Sequence, residues 1–483
     1  MWYIILSSKG KEAPVLTTKE AAERLGVSVR RVNALIAAGG LQAERFGRSW
    51  MVDERSVEER VALDRGPGRL KMDERNPGNL VRYTLMNRNH PVLDFTYNRR
   101  TRQTADLVVR EGSDWKPLGI GLRERDPNRY DLAAWISARS IPDLRPNLSP
   151  VLRETEAANA ADLMFASWGL NLSDQYWFKP EGADLDWHAI NYFENGYEER
   201  YGEMLLDGSR TAAPGVDAGP RCSSSPDSAT PGMLPKTWTR ENGVDYLVKG
   251  GTGGENREPY HEVLASRLLA RLCDEGEYVP YELVKRHGRA YSRCATMVTA
   301  ETELVAAADV LVGFGVSEGR DPYHGYRKAC YELGVPCAET LIGKMIVADH
   351  LMANFDRHTH NFGLIRNVEA LDGYRVAPLF DHGCGFYSRA TVEELLVGRY
   401  LWESHPFRRY PSQQLALVED MGWYDPQRLD GFLDEVVEVL AANPGADGRF
   451  VEAVRGQTAK QIETVNDLAA ERCAVFGGFG QVP

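Results

Sequence analysis

The chain has 483 residues, 43% of them hydrophobic and 26% charged, with a formal net charge of −12. This is too long for one small domain, and the composition is that of an ordinary globular protein, which excludes disordered and fibrous classes. No apolar run is long enough to span a bilayer, and the opening Met1–Leu6 is too short, with no basic segment before it, to be a secretory signal. No membrane partner is therefore expected, and the expected location is cytoplasmic.

The charge is unevenly spread. Residues 1–65 hold 11 Lys and Arg against 9 Asp and Glu, a net of +2, and the remainder holds 46 against 60, a net of −14. An acidic body repels nucleic acid, so any DNA contact is expected through the head. The cysteines, Cys222, Cys273, Cys294, Cys330, Cys337, Cys384 and Cys473, are odd in number and none forms C-x2-C. They point to core packing in a reducing compartment, not to a zinc site or a disulfide framework.

In chain order, a first helix opens at Thr17, whose hydroxyl caps it while Glu20 closes a capping box. Ala21, Ala22 and Leu25 form its apolar face, Gly26 ends it, and Ser28 caps a second helix from Val29 to Ala38. Two short helices joined through Gly read as helix-turn-helix. Leu41–Val52, with Gly47-Arg48 at its tip, reads as a β-wing. The head resembles the winged helix-turn-helix of excisionase and MerR-type DNA-binding proteins. Arg30, Arg31 and Asn33 are then expected at the major groove or phosphates, and Arg45 and Arg48 at the backbone or minor groove. A protein-docking module has the same hydrophobic pattern, but Arg-Arg followed by a basic wing favours DNA. Asp53–Asp64 reads as a closing helix and Arg65–Gly68 as a linker, so the first domain spans 1–68.

Residues 69–207 read as a scaffold subdomain. Tyr83–Tyr97 gives two strands around Asn87–His90, and Leu132–Ala138 a short helix broken by Ile141–Arg145. A second helix is expected over Val151–Ser167, and Tyr176-Trp177-Phe178 reads as a core strand in preference to a base-stacking platform. Residues 208–231 are small, polar and rich in Pro and Gly, and are expected to be a mobile loop.

Residues 232–310 carry a candidate phosphate clamp. Val244–Lys249 reads as a strand ending in Lys, and a helix from Tyr260 to Cys273 has Glu262 near its start. A strand Lys held by a helix Glu is the kinase arrangement for gripping α- and β-phosphates. The intervening Gly250–Gly254 fits no phosphate-loop spacing and is a weak signal on its own. Val279–Val284 and Ser292–Val298 read as strands, with Met297–Glu301 as a hinge for the adenine edge.

Residues 311–483 are mostly helical, with segments at Tyr323–Leu333, Ala338–Ala353, Val392–Gly398, Pro411–Met421 and Pro426–Ala441. Within them, Asn354–Asp381 holds the densest chemistry. Asp356 is followed after four residues by Asn361. Strands over Phe362–Asn367 and Tyr374–Phe380, turning at Asp372-Gly373, bring Asp381 back beside Asn361. Phosphoryl transfer with Mg²⁺ needs this set: one carboxylate for the acceptor hydroxyl, and an amide oxygen with a second carboxylate for metal. A polar surface loop is the plainer alternative, and the apolar helix entering with the hairpin leaving argues against it.

The motifs Asp356-Arg357-His358, Asn361-Phe362-Gly363 and Ala377-Pro378-Leu379-Phe380-Asp381 resemble those of HipA-like serine/threonine kinases of bacterial toxin–antitoxin systems, over about residues 232–386. The resemblance implies an α+β, bilobal protein-kinase-like fold of HipA type behind the winged helix-turn-helix, with 232–310 as nucleotide-binding lobe and 311–483 as helical catalytic lobe. It implies ATP and Mg²⁺ as cofactors, Asp356 and Lys249 as catalytic residues, and Asn361 and Asp381 as metal ligands. It matches the family's phosphate-covering loop to Gly232 and Lys236, with Lys249 and Glu262 completing the nucleotide site. The loop serine that the family phosphorylates falls at Ala229, between Ser228 and Thr230, a departure from the pattern. His358 is implied to pack and orient the loop. The partners implied are a protein substrate, such as a translation factor or an aminoacyl-tRNA synthetase, DNA through the head, and a second copy of the chain in a homodimer. The rival reading is a DNA-binding transcriptional regulator whose kinase-like domain only senses nucleotide.

Overall fold

The computed structural model describes residues 15–25, 29–37, 41–46, 49–54, 56–57, 77–110, 114–120, 129–208, 225–316, 321–398 and 400–477. They fall into two compact units of mixed helix and sheet, Met1–Pro77 and Gly78–Pro483.

In the first unit, β1 (Val15–Thr17), α1 (Thr18–Leu25), α2 (Val29–Ala37), β2 (Ala43–Phe46) and β3 (Ser49–Asp53) enclose a core of Leu16, Ala21, Ala22, Val32, Leu41, Val52 and Val57. The capping box forms: the Thr17 hydroxyl accepts the Glu20 N–H at 3.2 Å, and Glu20 Oε2 accepts the Thr17 N–H at 2.8 Å. The wing strands pair antiparallel, Arg45 opposite Trp50. β1 adds to them in the order β1-β3-β2; three residues are too few to show a period in the sequence. Met1–Leu6, Ser28, the Gly47-Arg48 tip, Arg65–Gly68 and most of Asp53–Asp64 lie outside the described residues.

The second unit begins with an antiparallel sheet of β4 (Leu80–Asn87), β5 (His90–Asn98), β6 (Gln103–Val109) and β7 (Tyr176–Pro180), ordered β6-β5-β4-β7. The aromatic run is core, as expected, with Trp177 and Phe178 both 0% exposed. Helices α3 (Arg129–Arg139), α4 (Leu148–Glu154) and α5 (Ala160–Ala166) follow β6. The helix expected over Val151–Ser167 is thus two. Glu156 turns left-handed at φ 56°, and Asn159 starts α5 afresh by accepting the Asp162 N–H at 3.1 Å. After α6 (Trp187–Ile190) and α7 (Arg200–Asp207), residues 225–230 of the stretch expected to be mobile form a buried turn. Their small polar groups find partners inside the protein, which composition alone does not reveal.

A second antiparallel sheet contains β8 (Lys236–Glu241), β9 (Val244–Lys249), β10 (Glu282–Arg286) and β11 (Arg289–Ala295) in the order β10-β11-β9-β8, with α8 (Glu258–Leu272) between β9 and β10. The strands expected at Val279–Val284 and Ser292–Val298 are shifted toward each other, because His287-Gly288, at φ 49° and 79°, makes a tight hairpin turn between them. β12 (Thr302–Ala306), β13 (Gly363–Asn367) and β14 (Arg375–Val376) form a third sheet. Helices α9 (Ala307–Gly313), α10 (Pro322–Glu332), α11 (Ala338–Leu351), α12 (Val392–Leu396), α13 (Pro411–Leu415), α14 (Phe432–Ala441) and α15 (Gly448–Gly477) build the rest. The expected Pro426–Ala441 helix is interrupted at Gly431, which takes φ 78°. No helix among the described residues is long and apolar enough to cross a membrane.

Candidate functional site

α11 carries an apolar run into the loop that starts at Asn354, but its last turn holds Asp349, 2% exposed. A buried carboxylate needs a partner. Arg357 supplies it, its Nε and Nη2 donating to Asp349 Oδ2 and Oδ1 at 2.8 and 3.0 Å. Asn354 Nδ2 also donates to Asp349, at 2.9 Å, and its Oδ1 accepts the Asp356 N–H at 3.2 Å. The backbone that presents Asp356 is therefore fixed from beneath.

Arg357 Nη1 donates to the carbonyls of Asn361 and Phe380 at 2.6 and 2.7 Å. One nitrogen between those two oxygens brings Asn361 and the residue before Asp381 side by side. β14 is two residues long; the Ala377 N–H still donates to the Gly363 carbonyl at 3.0 Å, the last bond to β13. The chain then crosses to another partner: the Leu379 N–H donates to the Glu277 carbonyl at 2.8 Å and its own carbonyl accepts the Val279 N–H at 2.9 Å. That exchange carries Asp381 under the sheet that holds Lys249. Asp381 itself is left-handed, at φ 62°, a conformation costly for a residue with a Cβ and common where a side chain is held for function.

Lys249 ends β9 with its side chain 4% exposed, and its ammonium donates to Glu262 Oε1 at 2.9 Å, Tyr281 Oη at 3.1 Å and Asp381 Oδ1 at 2.6 Å. Glu262 Oε2 accepts the His382 N–H at 2.9 Å, so neither of its oxygens is idle. Burial opposes the Lys249 charge, but Asp381 and Glu262 outweigh it and hold its pKa well above the ordinary value. Burial likewise pushes Asp381 up, and Lys249, Lys236 and Arg357 overcome it, leaving the carboxyl well below the usual range.

Lys236 lies directly across from Lys249 in the β8–β9 register. Cross-strand neighbours share a face of the sheet, so two lysines stand together in a buried place. Burial brings Lys236 down to about 7. Gly232 curls over it at φ +99°, where a Cβ would meet the Lys236 Nζ at 2.5 Å. No acceptor among the described residues hydrogen-bonds that ammonium.

Asp356 is half-buried. Asn361 Nδ2 donates to its carbonyl at 3.1 Å, which leaves Asn361 Oδ1, a hard oxygen donor, as the free atom. Burial and the charges of Asp356 and Asp381 push the Cys384 thiol up. His358 is exposed and accepts the His360 N–H at 3.3 Å, a loop-shaping contact. The Gly250–Gly254 run is occupied by its own protein: Gly251 N–H donates to Asn256 at 3.0 Å and Thr252 N–H to Glu258 at 3.1 Å. It is a capped turn and does not offer those amides to a phosphate.

The structure therefore gathers Lys236, Lys249, Glu262 and Asp381 into one buried charged cluster, with Asn361 joined to the strand before Asp381 through Arg357 and Gly232 over Lys236. The sequence reading missed Asp349, Tyr281 and Asn354. For Asp349 a signal existed: a carboxylate inside the apolar run Ile346–Leu351. In the first unit, Arg30, Arg31 and Asn33 lie on α2, where Asn33 is exposed. Arg45 is exposed on β2 with its guanidinium 5.8 Å from the Trp50 ring, and Arg48 lies outside the described residues.

Residues 15–62 match the family model of a helix-turn-helix domain. None of the curated proteins matches the chain. Among solved structures, the chain is similar to the Helicobacter pylori proinflammatory kinase CtkA, with 17% identity over 50% of this chain and 95% of that one and a TM-score of 0.35.

Proposed function

We propose that the second unit is an ATP- and Mg²⁺-dependent protein serine/threonine kinase of bilobal HipA type, toxin-like or regulatory in role, acting in the cytoplasm beside a DNA-binding head. The observation that carries this reading is the buried Lys236–Lys249 pair facing Asp381, with only one of the two ammoniums matched by acceptors. Such a pair is costly unless a polyanion is to come between its members.

The donor set fits Mg²⁺, which takes oxygen ligands and uses one or two carboxylates together with substrate phosphates. Asp381 and Asn361 Oδ1 are the side chains that would hold it, and a bound ion supplies neutralisation of phosphate charge. Lys249, fixed by Glu262, and Lys236, under Gly232, hold phosphate oxygens. Asp356 accepts the proton of the acceptor hydroxyl or orients it. The protein substrate falls, by the family resemblance, in the translation machinery. In the head, Arg30, Arg31, Asn33, Arg45 and Arg48 meet DNA, a reading supported by the helix-turn-helix match.

Transfer of labelled γ-phosphate to protein tests the kinase reading. The wild type is expected to label, and Asp356→Ala to lose about 10²–10⁴-fold in rate, the usual contribution of a general base. Equal labelling by both proteins, or none by the wild type with Mg²⁺, rejects it. Nucleotide binding without any transfer returns the sensing regulator.

A further inference from the structure

Arg145 lies in the break between α3 and α4, far in sequence from the Lys236–Lys249 cluster and 3% exposed. Its Nε donates to the Gly232 carbonyl at 2.8 Å and its Nη2 to the Thr230 carbonyl. Both carbonyls belong to the turn that leads into Lys236. Nη1 is buried without a hydrogen-bond partner among the described residues, which is rare enough to need a reason.

The same turn is gripped from the other side. Asp227 accepts the Trp238 N–H at 2.9 Å and the hydroxyls of Thr237 and Ser225, each at 3.0 Å. Trp238 Nε1 donates to the Thr230 hydroxyl at 3.0 Å, and the Ser228 hydroxyl meets that of Ser167. Gly202 of α7 approaches so closely that a Cβ there would come within 1.8 Å of the Thr237 hydroxyl. The Gly250 N–H ties the turn's end to β9 through the Pro235 carbonyl, at 2.8 Å. The Thr230 N–H is held by the Asp227 carbonyl at 3.3 Å, but none of these grips takes the Thr230 or Gly232 carbonyl; both are Arg145's.

We propose that Arg145 is a positioning residue of the nucleotide site: by holding the Thr230 and Gly232 carbonyls it sets the Lys236 ammonium beside Lys249 and Asp381. This rests on the nucleotide reading of that charged cluster. It makes residues 78–208, otherwise a bystander, part of phosphate recognition. A guanidinium fits the task because its planar fork reaches two carbonyls at once, which a lysine ammonium on a flexible stem does not reproduce.

The test uses the full chain with Arg145→Met, Arg145→Lys, Lys236→Met and the double variant Arg145→Met/Lys236→Met. In the ligand-free protein, amide hydrogen exchange over 230–236 is expected to rise about tenfold or more in Arg145→Met while α8 is unchanged, the mark of local opening. Mg·ATP affinity by calorimetry is expected to fall about 10- to 100-fold, as loss of charge-assisted hydrogen bonds implies, with KM rising and kcat held. Arg145→Lys, which keeps the charge and the fold, loses affinity too. The double variant is expected to bind no more weakly than Lys236→Met alone, because both changes remove one interaction. Unchanged exchange, or losses that simply add, overturns the proposal while wild-type binding stands. A wild type that binds no Mg·ATP overturns the nucleotide reading, and this proposal with it.

Discussion

Arg357 has no exposed surface, and its nitrogens satisfy one carboxylate and two carbonyls. Asp349→Ala would leave that guanidinium charged and unmatched, a change that costs about 3–5 kcal/mol in buried pairs. Urea unfolding is expected to show a loss of that size together with loss of phosphoryl transfer, because the Asn361 and Phe380 carbonyls lose their common anchor. A loss under about 1 kcal/mol, the range of exposed pairs, would show that the anchor is not needed. His350, one residue on, has neither ring nitrogen hydrogen-bonded among the described residues, and burial brings it down to about 4. Its folded value lies below its unfolded value of about 6.5, so the unfolded chain binds the extra proton first. Its neutral burial is harmless above about pH 6.5 and costs stability as pH falls from there toward the folded value. His350→Leu is expected to remove about 2 kcal/mol of the destabilisation between pH 7 and pH 5, read as a smaller shift of the urea midpoint than in the wild type. That Asn361 and Asp381 come side by side was legible because the hairpin between them returns the chain. The pairing of Asp349 with Arg357 was not, because it is set by how the chain folds back and not by spacing.

Among the elements, β12 and β13 pass so closely that a Cβ on Gly363 would lie 2.2 Å from the Val305 carbonyl oxygen. Backbone cannot yield as a flexible side chain can. Gly363→Ala is therefore expected to push the strands apart and to destabilise the unit by about 1–3 kcal/mol, the usual cost of overpacking. Since Gly363 follows Asn361 by two residues, transfer activity is expected to fall more than the loss of folded protein explains; activity per folded molecule, with folding followed by circular dichroism, separates the two. The elements that were readable are those with their own local signals: the Thr17/Glu20 capping box, the Arg88-Asn89 turn and the Lys249 strand. α15 was not read. Its buried Val451, Val454, Val465 and Ala469 face α14, α12 and α11, but polar residues between them blur the helical period. β8 was hidden because its burial comes from tertiary contacts on both faces. The Ser225–Thr230 turn was misjudged for the same reason: short polar side chains read as loop until the partners that bury them are known.

At the scale of the whole molecule, two units of unlike charge share one chain. Residues 1–65 carry +2 and the rest −14, so the head is the part that can approach duplex DNA and the remainder opposes it. Phosphate contacts release counterions, and each contributes about 0.9 to the slope of log affinity against log salt. The full chain is expected to bind duplex DNA with a negative salt slope, and a chain beginning at Gly78 is expected to lose that binding while still transferring γ-phosphate. Arg30→Ala, Arg31→Ala and Arg48→Ala together are expected to flatten the slope by about 2–3 if each meets a phosphate, and to weaken binding across sequences alike. Loss of discrimination between sequences with little change in slope would instead put α2 side chains on base edges. Binding that survives all three changes with its slope intact would remove the head from the DNA contact, and with it the case for a kinase delivered to, or controlled at, a DNA site by its own chain.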